Sequence, residues 1–378
     1  MSKVAIKENV LRWALDRSNT PVAAMRDRFP KILEWLEGTS QPTLKQLESF
    51  ARATTTPLGM LFLDEPPEEK LEIPYFRTIT NQTVSRPSAD LLDTIYTMQS
   101  RQDWMRDYLK DEGQPPLPFV RSATLADRAE DVAKNIRDVL GLGEMWAARH
   151  ATWEEALQTI RDAMERVGIL VFANGIVGNN THRTLNPEEF RGFVLIDDYA
   201  PLIFVNAADA KVAQMFTQAH ELVHIFYGIS AVFDLGQMMP ATDQIEQACN
   251  EVAAEFLVPK THIQEAWPSV QNEDHRFYQL ARQFKVSTVV VARRLYDLGL
   301  IGREEFLKFY YARIKDEQSK KKPMGGDFYN LQPLRVGKRF GAAVVRAARE
   351  RRMTYTEAYS LTGLRGGTFD AYAASVEK

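Results

Sequence analysis

Apolar positions in the first 65 or so residues recur at three- and four-residue steps: Val10-Leu11-Ala14, Ile32-Trp35-Leu36 and Leu44-Leu47-Phe50-Ala51. That spacing lines one face of a helix, so the pattern predicts a compact set of short helices. Gly38 ends the third segment and Pro42-Thr43 opens the fourth, while Pro66-Pro67 begins a linker. Helical spacing returns between Ser88 and Val167, as in Leu91-Leu92-Ile95-Met98 and Val132-Ile136-Val139-Leu140.

The pattern changes at Gly168. Ile169-Leu170-Val171-Phe172, Phe193-Val194-Leu195-Ile196 and Leu202-Ile203-Phe204-Val205 are apolar runs of strand length. Asp197-Asp198-Tyr199-Ala200-Pro201 separates the last two, which predicts a hairpin in a small antiparallel sheet. Leu202–Val205 then reads as an edge strand that an extended peptide can join. A long helix is expected from about Ala208 to Phe226, and another from about Thr242 to Leu257, stopping before Pro259. Two or three helices fill residues 276–315, Lys320–Gly326 reads as a solvated break, and the remaining residues look like a helical cap. The fold class is therefore mainly α with a small antiparallel β-sheet, that is, α+β.

Composition narrows the setting. The formal net charge of -3 gives no global field for nucleic acid, so any such contact must come from a local patch. The single cysteine, Cys249, excludes an intramolecular disulfide framework and fits a reducing compartment. The opening residues carry scattered charges and no apolar core, unlike a signal peptide. No run of about 18 apolar residues suggests a membrane span. A cytoplasmic protein is expected.

Chemistry concentrates on the long helix, in His220-Glu221-Leu222-Val223-His224. Two histidines four positions apart stand one turn apart on the same face, so both imidazoles can reach one ion. Zinc accepts such nitrogens at about 2.0–2.1 Å and lowers the pKa of its water to about 7. Glu221 is placed to act as general base. With only 6 histidines in the chain, the match is informative.

A third protein ligand is required. The metzincin pattern needs glycine and histidine where this chain has Tyr227 and Ser230, so that class is excluded. His150, His182, His262 and His275 show no ligand spacing. The next helix offers Glu246, Glu251 and Glu255. Glu246, Asn250, Ala253 and Leu257 form one stripe with small and apolar members, which favours Glu246, with Glu251 as the alternative. Glu251 and Glu255 read as a solvated pair. Tyr227, nearly one turn beyond His224, is a candidate for stabilising the oxyanion.

Phe216-Thr217-Gln218-Ala219-His220-Glu221-Leu222-Val223-His224 and the downstream stretch from Glu246 to Pro259 resemble the ImmA/IrrE family of zinc metallopeptidases. Trp35–Gly38, Gln41–Glu48, Pro57–Leu63 and Phe76-Arg77-Thr78 resemble the long form, in which an Xre-like helix-turn-helix precedes the peptidase. The resemblance implies an Xre-like domain over 1–67, a helical linker region over 68–150, a zincin-like peptidase over 151–315 and a flexible segment with a helical cap over 316–378. It also implies zinc ligation by His220, His224 and a downstream glutamate, with Glu221 as general base. The protein substrate would be a repressor, cleaved after DNA damage or in mobile elements, or the partner would be a toxin encoded nearby.

In the N-terminal unit, Arg28, Lys31 and Gln41 are the expected DNA contacts. However, the presumed recognition segment sets Glu34 and Glu37 beside Lys31, whereas DNA-reading helices carry Arg, Lys, Asn or Gln. The alternative reading is a DNA-binding regulator or antitoxin with a structural or vestigial zinc site. Residues 277–295 form a second helix-turn-helix-like stretch. There Arg293-Arg294 can touch phosphate, but packing over the peptidase core is the preferred reading.

Overall fold

The structure is a computed structural model and describes residues 3–18, 20–68, 75–76, 87–209, 211–233, 244–319 and 328–376. Arg77, Thr78 and the expected break at Lys320–Gly326 lie outside the described residues. The chain divides into two compact units, residues 1–72 with 82–95, and residues 73–81 with 96–378.

The first unit is helical. It contains α1 (Glu8–Arg17), α2 (Val22–Arg26), α3 (Ile32–Leu36) and α4 (Leu44–Ala53), followed by a short turn of tighter helix at Leu58–Phe62. The periodic residues read from the sequence form its core: Val10, Leu11, Ala14, Ile32, Trp35, Leu36, Leu47, Phe50 and Ala51 are all buried. Phe29 and Trp35 pack against Phe50 edge-on, with ring centroids 5.8 and 6.4 Å away. Gly38 takes the left-handed conformation expected just past a helix end, at φ +70°. Thr43 and Gln46 close a capping box at the start of α4.

The second unit is built on a five-stranded sheet. Its strands are β1 (Tyr75–Phe76), β2 (Leu170–Asn174), β5 (Gly192–Leu195), β6 (Leu202–Asn206) and β7 (Ala231–Phe233), in the order β1-β7-β5-β6-β2. A separate small hairpin joins β3 (Ile176–Val177) to β4 (Asn180–Thr184). The expected hairpin is present as β5 and β6, in antiparallel register from Gly192↔Val205 to Leu195↔Leu202.

Two expectations about the sheet are corrected. It is mixed, because β2 runs parallel to β6 from Leu170↔Leu202 to Asn174↔Asn206, and β1 runs parallel to β7. Every residue of β2 is buried, and its continuous apolar run is that of a strand covered on both faces, as parallel strands are. Leu202–Val205 is not an edge strand either, since β6 lies between β5 and β2.

Helices α5 (Ala89–Asp111), α6 (Ala129–Leu140) and α7 (Trp153–Val167) precede β2 in the chain. Helix α8 (Lys211–Tyr227) packs on β5 and β6, and α9 (Gln244–Leu257) packs on both α8 and α6. Then come α10 (Lys260–Val270), α11 (Arg276–Phe284), α12 (Thr288–Asp297) and α13 (Arg303–Ser319). The chain ends in α14 (Phe328–Val336), α15 (Lys338–Arg349), α16 (Tyr355–Thr362) and α17 (Gly367–Val376). Arg101 secures this last group by donating to the carbonyls of Leu361 and Arg335, while its guanidinium lies over Phe172 and Phe340. Among the described residues, no helix is long and apolar enough to cross a membrane.

Candidate metal centre

Helix α8 is buried on more than one side. Met215, Ala219, Leu222, Val223 and Phe226 join the core, and His220, Glu221 and His224 are each 0% exposed. Burying three such polar groups is costly unless something pairs with them. The left-handed Gly228 ends the helix, with its N–H donating to the carbonyl of His224. The turn that carries His224 is thereby closed just past its last functional residue.

The two imidazoles meet face to edge, with Nε2 of His220 3.0 Å from Nε2 of His224. Glu246 arrives from α9 and straddles them, with Oε2 3.2 Å from His220 Nε2 and Oε1 3.5 Å from His224 Nε2. One turn along α9, Asn250 Oδ1 accepts from Nδ1 of His220 at 3.1 Å. An amide oxygen can only accept, so the proton sits on Nδ1 and the Nε2 lone pair faces the other donors. The stripe read from the sequence, Glu246 with Asn250, is therefore the face that meets α8.

Charge and burial act together here. Burial, reinforced by neighbouring His220, pushes the His224 imidazole down to about 3, so it is neutral over the physiological range. Burial, followed by repulsion from Glu246, raises the Glu221 carboxyl well above the usual carboxylate range. Among the described residues, neither oxygen of the buried Glu221 carboxylate has a hydrogen-bond partner.

These residues fit a zinc ion. Donors bonded at about 2.05 Å to a tetrahedral ion stand about 3.3 Å from one another. The two Nε2 atoms and the Glu246 oxygens are separated by 3.0, 3.2 and 3.5 Å. Two imidazoles and a carboxylate are a donor set that zinc takes, and a cation there would compensate the buried Glu221 carboxylate.

The other glutamates of α9 point elsewhere. Glu251 is exposed. Glu255 is not part of a solvated pair, as the sequence had suggested. It is buried, forms an ion pair with Arg294 of α12, and accepts from the backbone N–H of Lys260. Arg294 also donates to the carbonyl of Val258, and Arg293 pairs with Asp297, so this stretch packs on the peptidase-like core. The Tyr227 hydroxyl is raised to about 12, by burial first and then by Cys249, Asp127 and Glu251, and it stays protonated.

Sequence reasoning missed two residues, Gly192 and Cys249, and the role of a third, Asn250. Gly192 lets β5 lie directly beneath α8, Asn250 orients His220, and Cys249 places its sulfur beside both histidines. Each depends on which helix or strand lies opposite, which local spacing does not report.

The expected DNA contacts of the first unit are not gathered in one place. Arg28 and Lys31 are exposed on an open groove also lined by Phe29, Trp35, Lys45 and Ser49. Lys31 faces Glu34 at 3.8 Å. Gln41 does not line the groove; its Oε1 accepts the backbone N–H of Ile6.

Residues 164–296 match the family model of the IrrE N-terminal-like domain, a peptidase family. The IrrE-like segment runs from the end of α7 to α12 and contains His220, Glu221, His224, Glu246 and Asn250. Residues 336–375 match a domain of unknown function. No curated protein and no solved structure matches the chain. The first unit lies outside both matched segments.

Proposed function

We propose that the chain is a zinc-dependent endopeptidase that cleaves a regulatory protein, with a transcriptional repressor or a toxin encoded nearby as the target. The observation that carries this reading is the approach of His220 Nε2, His224 Nε2 and the Glu246 carboxylate to within 3.0–3.5 Å of one another, with Glu221, buried and without a hydrogen-bond partner among the described residues, following His220 on the same helix. His220, His224 and Glu246 would hold the ion. When bound, zinc supplies Lewis acidity to a peptide carbonyl and to water.

This chain's residues do the rest. Asn250 fixes the His220 ring through Nδ1, and burial keeps His224 neutral and ready to bind. The Glu221 carboxylate takes a proton from the attacking water and returns it to the leaving amine nitrogen. Its burial raises its proton affinity towards that task. Glu221→Gln keeps the shape of the side chain and removes the base. The variant should retain its metal and lose cleavage of a repressor encoded beside this gene. Undiminished cleavage would remove Glu221 from this role.

A second reading, a DNA-binding regulator or antitoxin, draws on the cations Arg28, Lys31 and Lys45 around the groove of the first unit. It predicts salt-dependent binding to the chain's own promoter, weakened by removing residues 1–67 and indifferent to Glu221→Gln. A gel-shift titration that finds no binding to that promoter at low salt would dispose of it.

A further inference from the structure

Helix α9 brings a second donor to the centre. Three steps along a helix of 3.6 residues per turn return to within about 60° of the starting direction, so Cys249 shares the face of Glu246. Cys249 is fully buried, and its Sγ and a ring nitrogen from each of His220 and His224 all lie within 4.8 Å of one another. A buried cysteine usually behaves as a small hydrophobe among aliphatic neighbours. This one lies in the apolar core yet within reach of two imidazoles, in a region where, among the described residues, both oxygens of Glu221 are buried without hydrogen-bond partners.

We propose that Cys249 is itself a ligand of the metal, an inference that rests on the metal reading given above. His220, His224, Glu246 and Cys249 then form a closed, four-coordinate centre. Zinc binds thiolate at about 2.3 Å and imidazole at about 2.0–2.1 Å, which holds sulfur and nitrogen about 3.6 Å apart. The sulfur already lies within 4.8 Å of a ring nitrogen of each histidine. Structural zinc sites are closed, whereas catalytic ones keep a position open. Ligation would release the Cys249 thiol proton to solvent and close the resting centre; hydrolysis then requires a water to take the sulfur's place, the released sulfur regaining a proton.

The test replaces zinc with Co(II) in the full-length chain and records the absorption spectrum. A thiolate ligand gives an intense charge-transfer band in the near ultraviolet, alongside the weaker visible ligand-field bands. The unmodified protein should show both, and Cys249→Ser should lose the first and keep the second. X-ray absorption of the unmodified zinc form gives a readout that needs no variant, with one sulfur expected at about 2.3 Å. Visible bands without the ultraviolet band, together with a shell of nitrogen and oxygen only, would overturn the sulfur ligand and leave the metal reading standing. An ultraviolet band that survives Cys249→Ser would overturn it as well. Failure to take up either metal would overturn both.

Discussion

A Cβ placed on Gly192 would stand 2.8 Å from Thr217 Cγ2 and 2.9 Å from the carbonyl oxygen of Phe204, closer than real contacts allow. It would also lie 3.3 Å from Oε1 of Glu221. Glycine at this position lets β5 approach α8, which sets the depth at which Glu221 sits. Gly192→Ala forces the helix or the strand to move, and such overpacking costs about 1–3 kcal/mol. The variant's urea midpoint should fall accordingly; a midpoint equal to that of the unmodified chain would contradict the close approach. At this scale the sequence placed His220, Glu221 and His224 on one helix, because their relation is a local one of four positions. Gly192 and Cys249 stayed hidden, and so did the bond from His220 to Asn250, because each acquires its role from an element distant in the chain.

Helix α9 shows how far periodicity reaches. Its spacing put Glu246 and Asn250 on one stripe, and that stripe meets the two histidines. Glu255 was misjudged because its partner, Arg294, comes from α12 and no pattern within α9 announces it. The hairpin of β5 and β6 was legible from a turn-rich spacer between two apolar runs, whereas the parallel partnership of β2 and β6 was not. Loss of one carboxylate oxygen separates the α9 alternatives. Glu246→Gln should weaken zinc binding by more than the roughly 10–100-fold typical of losing an outer-shell partner, measured by competition with a chromophoric chelator. Glu251→Gln, altering an exposed residue, should leave the affinity unchanged. The reverse ranking would exchange their roles.

Across the whole molecule, the sequence marked a helical N-terminal region and a strand-bearing region after Gly168, because the period of apolar residues changes there. It did not mark the stretch 73–81 as part of the second unit, where Tyr75 and Phe76 extend the sheet beside β7. Two paired residues leave no periodic trace. The IrrE-like match covers the segment that holds every donor discussed above, and the functional account rests on that segment binding metal. Zinc content per chain tests this most directly, measured by elemental analysis on the purified full-length protein and on His220→Ala. The account predicts one zinc per unmodified chain and essentially none in the variant. An unmodified chain free of zinc after purification in its presence, or a His220→Ala chain carrying as much, would contradict it.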